Sequence, residues 1–378
     1  MPRYKFEDIA FNITEKRMPV PEDKELYIGL EHLDTGCLWV TRWGSPVDIK
    51  GQKLVMHKGD LLFGRRNTYL RRAAIAPHDG LFSAHGMIFR PKTDVITAEF
   101  FPYFISSNYF MEAAIRISVG SLSPTVNWKQ LKELEFDIPE IEDQSKYAEL
   151  FSAIDRSREA YKTLITKTDE LVKSQFIELF GTHENTNYPV KTLEELCEPI
   201  KDGTHQTPTY TDDKENGFLF LSSKDVTSKY VDWDHPMYIP PELHEQLYKR
   251  IAPRKGDILL AKNGTTGIAA IVDRDVVFDI YVSLALLRFL PGCNVKYMWA
   301  AINMPETKKQ FDSRLKGIGV PNLHLGEIKK ARIVVPPIAA QDQFAIFLEQ
   351  SDKSKFEAKQ AIQTLDSLYL NIEKKCFS

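Results

Sequence analysis

The 378-residue chain contains an internal repeat, which constrains its fold more than any other feature. Residues 58–62 read Lys-Gly-Asp-Leu-Leu, and 197 positions later residues 255–259 read Lys-Gly-Asp-Ile-Leu. A single register held over this distance predicts two copies of one structural unit. The same displacement relates Gly120 to Gly317, Pro124 to Pro321, Lys132 to Lys329, Pro139 to Pro336, Gln144 to Gln341 and Phe180 to Phe377.

Both copies show the same order of local patterns. Short apolar runs such as Leu61–Phe63 and Phe218–Leu221, separated by Gly, Pro, Asn and Asp, predict strands. Segments of helical character, 98–115 and 297–315, interrupt these runs. The apolar run 280–287 is too short to span a membrane and is predicted to be one buried strand. This mixture is typical of compact α+β domains.

A long segment without internal Pro or Gly ends each copy, over about 142–180 and 340–377. Each segment predicts a continuous helix about 57 Å long, which needs a partner because it outruns a single small domain. Apolar residues of the second segment recur in steps of four and three, the period of a coiled coil. These residues are Ala358, Ile362, Leu365, Tyr369, Ile372 and Cys376. The first segment has the poorer series Tyr161, Ile165, Thr168, Val172, Gln175 and Leu179, supported by Leu164 and Leu171.

Charge is segregated along the chain, although the net charge is only −3. Residues 53–72 carry six basic residues against one acidic residue, and residues 308–332 carry seven against two. Residues 133–178 carry twelve acidic residues against six basic ones. A single basic run is usually a solvated surface, but its recurrence in both copies favours contacts to an anionic partner such as nucleic acid.

Sequence signatures of other protein classes are missing. The four cysteines are dispersed, so we expect neither a disulfide framework nor a metal site, and we predict no cofactor. The first residues lack the apolar core of a secretory signal, which predicts a cytoplasmic protein with no membrane segment. The sequence contains no glycine-rich cofactor loop, no Asn/Asp-Pro-Pro-Tyr/Phe site and no Gly-x-x-x-x-Gly-Lys-Ser/Thr loop, so we predict no catalytic activity.

Three groups of motifs point to a family. Residues 202–210 read Asp-Gly-Thr-His-Gln-Thr-Pro-Thr-Tyr, and Gly-Phe-Leu-Phe-Leu follows from position 217. Lys-Gly-Asp-Ile-Leu-Leu at position 255 is followed by Asn-Gly-Thr-Thr-Gly at position 263, and a domain-to-helix junction occupies 322–341. In this order and spacing, the motifs resemble the specificity subunits of type I restriction–modification systems. The first copy departs from the pattern, because its region 11–24 lacks the Asp-Gly-Thr-His run.

The resemblance implies an α+β protein with two tandem target recognition domains, each followed by a spacer helix. The expected boundaries are 1–140 and 141–182 for the first domain and helix, and 183–337 and 338–378 for the second. The helices would pair as an antiparallel coiled coil with pseudo-two-fold symmetry. Such a subunit recognises a bipartite sequence in double-stranded DNA and directs separate adenine methyltransferase subunits, two per chain, and restriction (motor-nuclease) subunits to it.

Candidate DNA-binding residues are those whose side chains can reach base edges or phosphates. Gly203, Gly264 and Gly267 are instead expected to permit tight backbone conformations. Asp60 and Asp257 follow a glycine at a strand entrance and are predicted to be turn residues. The candidates are Arg65, Arg66, Asn67, Arg71 and Arg72 in the first domain, and Thr204, His205, Lys224, Lys262, Asn263 and Thr265 in the second.

Two other interpretations were weighed. A metal-dependent nuclease needs acidic residues near a lysine, as at 22–24 and 327–329, but neither segment lies within an apolar strand. The alternative function is a DNA-binding scaffold without sequence specificity, built on the coiled coil. A scaffold binds every duplex weakly and with steep salt dependence, whereas a sequence reader keeps its specificity ratio as salt rises.

Overall fold

The computed structural model describes residues 1–315 and 321–377, which fall into two compact units. Unit 1 comprises Met1–Lys162 and Lys359–Ser378, and unit 2 comprises Thr163–Ala358. Gly317, the predicted repeat partner of Gly120, and Lys316 of the second basic run lie outside the described residues.

Unit 1 contains three small antiparallel sheets. A four-stranded sheet has the order β2-β8-β5-β6, a three-stranded sheet has the order β3-β4-β7, and β1 pairs with β9. The last of these pairings joins the start of the chain to residues 135–137. The strands are β1 (Arg3–Lys5), β2 (Ala10–Ile13), β3 (Lys16–Arg17), β4 (Lys53–Met56), β5 (Leu61–Phe63), β6 (Ala73–Ile75), β7 (Gly80–Phe82), β8 (Met87–Pro91) and β9 (Glu135–Asp137).

An aromatic core joins the sheets of unit 1 to its helices. Phe6 and Phe110 lie with ring centroids 5.1 Å apart, and Phe104 and Phe136 lie 5.2 Å apart. All four are fully buried, and each contributes about 1.5–3 kcal/mol. The helices are α1 (Phe6–Ile9), α2 (Phe101–Ser106), α3 (Asn108–Arg116), α4 (Trp128–Leu131) and the first part of α5 (Ile141–Phe180).

Unit 2 contains sheets of the same sizes. The four-stranded sheet has the order β11-β17-β14-β15, and β10 pairs with β18. The three-stranded sheet β13-β12-β16 includes one parallel pair, β12 with β16, which unit 1 lacks among its described strands. The strands are β10 (Val190–Thr192), β11 (Lys201–Asp202), β12 (Phe218–Leu221), β13 (Met237–Ile239), β14 (Ile258–Ala261), β15 (Ala269–Ile271), β16 (Phe278–Ile280), β17 (Leu284–Leu287) and β18 (Arg332–Val334).

Tyr297 lies at the centre of the main core of unit 2. Its ring is fully buried against Phe176, and its hydroxyl donates to the carbonyl oxygen of Val334 at 2.8 Å. Burial raises the pKa of this hydroxyl, which therefore stays a neutral donor. The helices of unit 2 are α6 (Leu193–Leu196), α7 (Pro241–Tyr248), α8 (Val295–Ile302), α9 (Pro305–Asp312), α10 (Leu325–Lys329) and the first half of α11 (Ile338–Cys376).

The predicted duplication is confirmed by equivalent side-chain contacts in the two units. Asp60 binds Arg90 at 2.5 Å, and Asp257 binds Arg288 at 2.8 Å. Each aspartate also accepts from a backbone N–H three residues earlier, at His57 or at Arg254, as expected of a turn residue. The same two-part contact therefore fixes the entrance to β5 and to β14.

The two matched glutamines anchor the long helices in the same way. Gln144 in α5 accepts from the backbone N–H of Thr97 at 2.7 Å and donates to the carbonyl oxygen of Pro139 at 2.8 Å. Gln341 in α11 accepts from the N–H of Asn294 at 2.9 Å and donates to the carbonyl oxygen of Pro336 at 2.8 Å. Both glutamines are buried, so each fixes the first turn of its helix against the preceding domain.

In unit 1, the start of α5 lies along the end of α11. The rings of Phe151 and Tyr369 have centroids 4.6 Å apart, and Arg158 pairs with Asp366 at 2.6 Å. A later residue of α5 thus contacts an earlier residue of α11. The two segments run in opposite directions within this unit.

In unit 2, the end of α5 lies along the start of α11. Asp169 pairs with Lys355 at 2.9 Å, and the rings of Phe176 and Phe344 lie 5.5 Å apart. Here too the two segments run in opposite directions. The prediction that Leu164 and Leu171 support the apolar series of the first long helix is wrong, because both side chains are about half exposed. Each of them precedes a member of that series by one residue and therefore lies on another face of the helix.

Three sequence-based element boundaries are also wrong. Residues 280–287 contain the last residue of β16 and the whole of β17, separated by a turn at 281–283. The segment 98–115 divides at Ser107, whose hydroxyl caps α3, and 297–315 divides into α8 and α9 before Pro305. No helix in the described part of the chain is both long and apolar enough to cross a membrane.

Candidate nucleic-acid interface

The basic loop, residues 64–72, connects β5 to β6 in unit 1 and carries the first set of candidates. Asn67 and Arg71 adopt left-handed conformations, with φ of 55° and 49°, on either side of a single turn at Thr68–Leu70. Residues other than glycine rarely adopt this backbone conformation, which costs about 1 kcal/mol or more for each residue. Tyr69 at the apex of the turn is 55% exposed. Asn adopts this region more readily than other residues, so the strain falls mainly on Arg71, beside the exposed apex; strained residues of this kind cluster at functional sites.

A second element, the Leu122 hairpin (residues 119–125), is hydrogen-bonded to the basic loop. The N–H of Asn67 donates to the carbonyl oxygen of Pro124 at 2.7 Å, and the N–H of Val126, just after the hairpin, donates to the carbonyl oxygen of Arg65 at 3.0 Å. At the tip of the hairpin Leu122 is 95% exposed. Backbone hydrogen bonds therefore join the two elements, which together carry basic and apolar side chains.

The five first-domain candidates therefore lie on one loop but face different surroundings. Arg66 is exposed and donates only a 3.3 Å hydrogen bond to the Ser123 hydroxyl. Arg65 and Arg72 are half-buried. Arg71 is directed towards α3, where it binds Asn108 and lies 3.6 Å from Glu112. The buried side-chain oxygen of Asn67 has no hydrogen-bond partner among the described residues.

In unit 2 the candidates surround Asp202, at the end of β11. The buried ammonium of Lys262 binds this carboxylate at 2.6 Å, and the exposed ring of His205 lies 3.3 Å from it. Arg250 donates to the carbonyl oxygen of Asp202 at 2.6 Å. Burial alone would raise the pKa of the Asp202 carboxyl, but the hydrogen bonds and charges of Lys262 and His205 together outweigh burial and lower it. Lys262 thus holds the loops together instead of reaching into solvent.

Ser283 joins the loops that carry the other second-domain candidates. Its hydroxyl accepts from the N–H of Ser223, beside exposed Lys224, at 2.9 Å. Its carbonyl oxygen accepts from the N–H of Lys262 at 2.9 Å, and the neighbouring Val282 N–H donates to Thr204 at 3.0 Å. The structure therefore brings Thr204, Lys224 and Lys262 to one edge of the four-stranded sheet.

The loop after β14 completes this edge. Thr265 is exposed, and the side-chain oxygen of Asn263 is buried without a hydrogen-bond partner in residues 1–315 and 321–377. Gly264 has a φ of 71°, as expected of a glycine required by the backbone. A Cβ on Gly203 would lie 1.9 Å from the carbonyl oxygen of Ile280, so only glycine fits there.

Four residues of these edges were missed by sequence reasoning. Tyr69 could have been found as the only aromatic residue of the basic loop, residues 64–72. Leu122, Arg250 and Ser283 gave no signal, since exposure and long-range hydrogen bonds depend on the fold. Across the described residues, no group of three or more His, Cys, Asp or Glu side chains could share a metal ion.

The family profile described as Type I restriction modification DNA specificity domain matches residues 46–168 and 185–365, well over half of the chain. The chain belongs to this family. The resemblance inferred from the motifs is thereby confirmed, and the matched domain is a DNA specificity domain and not a catalytic one.

Two curated relatives are specificity subunits. The type I restriction enzyme EcoBI specificity subunit of Escherichia coli is 25% identical over 173 residues, which cover 44% of this chain and 36% of that protein. The putative type I restriction enzyme MjaX specificity subunit of Methanocaldococcus jannaschii is 25% identical over 183 residues, covering 45% and 42%. The matches span less than half the length of either relative.

Solved structures share the fold. A chain from a structure describing complex assembly and conformational transition of the type I R-M system matches with a TM-score of 0.63, at 17% identity. It covers 100% of this chain and 97% of the other. The type I restriction-modification S subunit from M. genitalium matches with a TM-score of 0.56, at 15% identity, covering 100% and 96%. At these identities the likeness shows the α+β fold alone.

Proposed function

We propose that the chain is the DNA sequence-specificity subunit of a type I restriction–modification system and has no catalytic activity of its own. It recognises a bipartite sequence in double-stranded DNA and directs adenine methyltransferase and restriction subunits to that sequence. The observation that carries this proposal is the duplicated sheet with a cluster of basic and amide side chains at one edge of each copy.

Each copy supplies one set of readers. In the first, the exposed guanidinium of Arg66 is suited to a guanine edge, and the amide of Asn67, whose unpartnered oxygen is buried in the free chain, would reach an adenine edge only after turning outward. In the second, Lys224 and Thr265 are exposed, and the amide of Asn263 would reach a base on the same condition. Arg65, Arg72 and His205 would contact phosphates or bases around them, whereas Thr204, which is only 8% exposed and accepts from the N–H of Gln206, would order the loop that carries His205. Two different sets read two different half-sites.

The long helices set the spacing between half-sites. We propose that α5 and α11 pair as one antiparallel coiled coil and that the two copies are related by pseudo-two-fold symmetry. The opposite directions of the segments within each unit support this pairing. In this arrangement residues 1–140 and 183–337 are the recognition domains, and 141–182 and 338–378 are the spacer helices. Two methyltransferase subunits, one for each half-site, and the restriction subunits assemble on this frame in the cytoplasm.

The test is a methylome of the host with the gene intact and deleted. Loss of adenine methylation at one split motif after deletion is the expected result, and it yields both half-sites and the spacer. If methylation is unchanged, purified chain and methyltransferase subunit are assayed on duplex DNA. Binding without sequence preference at every salt concentration would favour the scaffold alternative and contradict the proposal.

A further inference from the structure

Arg71 differs from the other arginines of the basic loop because its guanidinium is held by side chains of a helix, α3. Its guanidinium donates to the side-chain oxygen of Asn108 and lies 3.6 Å from the carboxylate of Glu112. Both partners belong to α3, which packs against the turn of the basic loop. An arginine fork held by two acceptors has a fixed direction, unlike a flexible lysine. Arg71 therefore points away from the apex that carries Tyr69.

Asn108 is in turn held by a buried carboxylate from α11. Glu373 is only 6% exposed, and it accepts from both the backbone N–H and the side-chain amide of Asn108, the latter at 3.1 Å. A buried carboxylate needs such donors and a nearby cation. The three residues form a continuous path from α11 through the start of α3 to the basic loop, entirely within unit 1.

The second copy has none of the three residues of this path at the equivalent positions. At the displacement of 197 residues, the positions of Arg71, Asn108 and Glu373 correspond to Ile268, Pro305 and Phe176. Phe176 is buried against Tyr297 and Phe344, so aromatic packing occupies this place in unit 2. If the three polar residues act as one interacting group, we expect them to be replaced together, as they are in the second copy.

We infer that Arg71 is a positioning residue for the first half-site and not a DNA contact. Through Asn108, Glu373 holds Arg71 and with it the left-handed end of the basic loop, while the Leu122 hairpin holds the other end at Asn67. The two attachments set where Arg65, Arg66 and Asn67 meet the DNA. This inference rests on the proposed function and names the residues that tune its first domain.

The variants Arg71→Met, Arg71→Lys and Glu373→Gln distinguish positioning from contact. We expect each to lower discrimination at the first half-site about tenfold, because a displaced loop loses a paired base contact. Methylation mapping of cells carrying each variant should show relaxed bases in one half-site and an unchanged second half-site. Lys374→Gln, an exposed change in the same turn of α11, is the matched control and should leave the motif intact.

Salt dependence gives the independent readout. The chain with its methyltransferase subunit is titrated with a duplex carrying the mapped motif and with duplexes in which one half-site is scrambled. Removing a phosphate contact lowers the slope of log Kobs against log salt by about one. We expect Arg71→Met to leave the slope unchanged, whereas Arg66→Met should lower it if that exposed arginine contacts a phosphate.

The outcomes separate the inference about Arg71 from the proposed function. A slope lowered by Arg71→Met and restored by Arg71→Lys would make Arg71 a phosphate contact and overturn the inference alone. An unrelaxed first half-site in Glu373→Gln, whether or not the Arg71 variants relax it, would overturn it as well, because Arg71 would then act without the support of α11. If Arg71→Met does not fold, Arg71→Lys and Glu373→Gln carry the methylation test, which does not depend on the salt slope. A wild-type complex without sequence preference would overturn the proposed function, and the inference with it.

Discussion

Replacing Gln341 by alanine removes both side-chain hydrogen bonds that anchor the first turn of α11. The change leaves the N–H of Asn294 and the carbonyl oxygen of Pro336 unpaired in a site where Gln341 is 1% exposed. Each buried polar group left unpaired costs about 1–3 kcal/mol, so we expect a loss of about 2–5 kcal/mol. For a unit of this size, such a loss lowers Tm by about 5–15 °C.

Differential scanning calorimetry of the chain measures this loss, with Gln343→Ala as the matched control. Gln343 is exposed on the same helix turn, and its replacement should change stability by less than about 0.5 kcal/mol. Gln144→Ala should cost at least as much as Gln341→Ala, because Gln144 makes a third bond, to the carbonyl oxygen of Val95. If Gln341→Ala and Gln343→Ala melt together, the glutamines do not anchor the helices and the argument is wrong.

Three further changes test the candidate interface. Lys224→Met should reduce the salt slope of specific binding by about one in a DNA titration, and an unchanged slope would remove Lys224 from the phosphate contacts. Leu122→Asp brings a carboxylate beside the arginines of the basic loop, so affinity should fall about tenfold or more, whereas neutral Leu122→Gln should change it less. The lowered pKa of Asp202 means that its ionised form stabilises the fold above the ordinary pKa of about 4 and that this stability is lost as pH falls below it. Urea midpoints of the wild type should therefore drop in acid more than those of Asp202→Asn, and parallel curves would contradict this.

The sequence predicted what depends on long, regular patterns. Helices α5 and α11 were found because each runs for nearly forty residues without Pro or Gly. The duplication was found because residues such as Gln144 and Gln341 recur at one displacement. They recur because their contacts depend on a fixed distance from the preceding strand. Both signals are local or repeat at one displacement.

What the sequence did not reveal depends on partners distant in the chain. The apolar run 280–287 was expected to be one strand, but Ser283 binds the loops beginning at Ser222 and Lys262 and interrupts it. Lys262 was a candidate for reading DNA, yet its charge is paired with a residue sixty positions earlier. Residue type shows that a side chain can reach a base and does not show whether an internal partner has already bound it.

Unit 1 is interrupted in sequence, which affects the order in which the chain can fold during synthesis. Residues 1–162 leave the ribosome first, but their core also needs residues 359–377, where Cys376 is buried and Phe377 stacks on Tyr109 at 5.1 Å. Unit 2 is continuous and can close as soon as Ala358 has emerged. The domain that is made first is therefore completed last, and its aromatic surface stays open to chaperones in the interval. A nonsense mutation after Ala358 would damage unit 1, most of which is encoded at the other end of the gene.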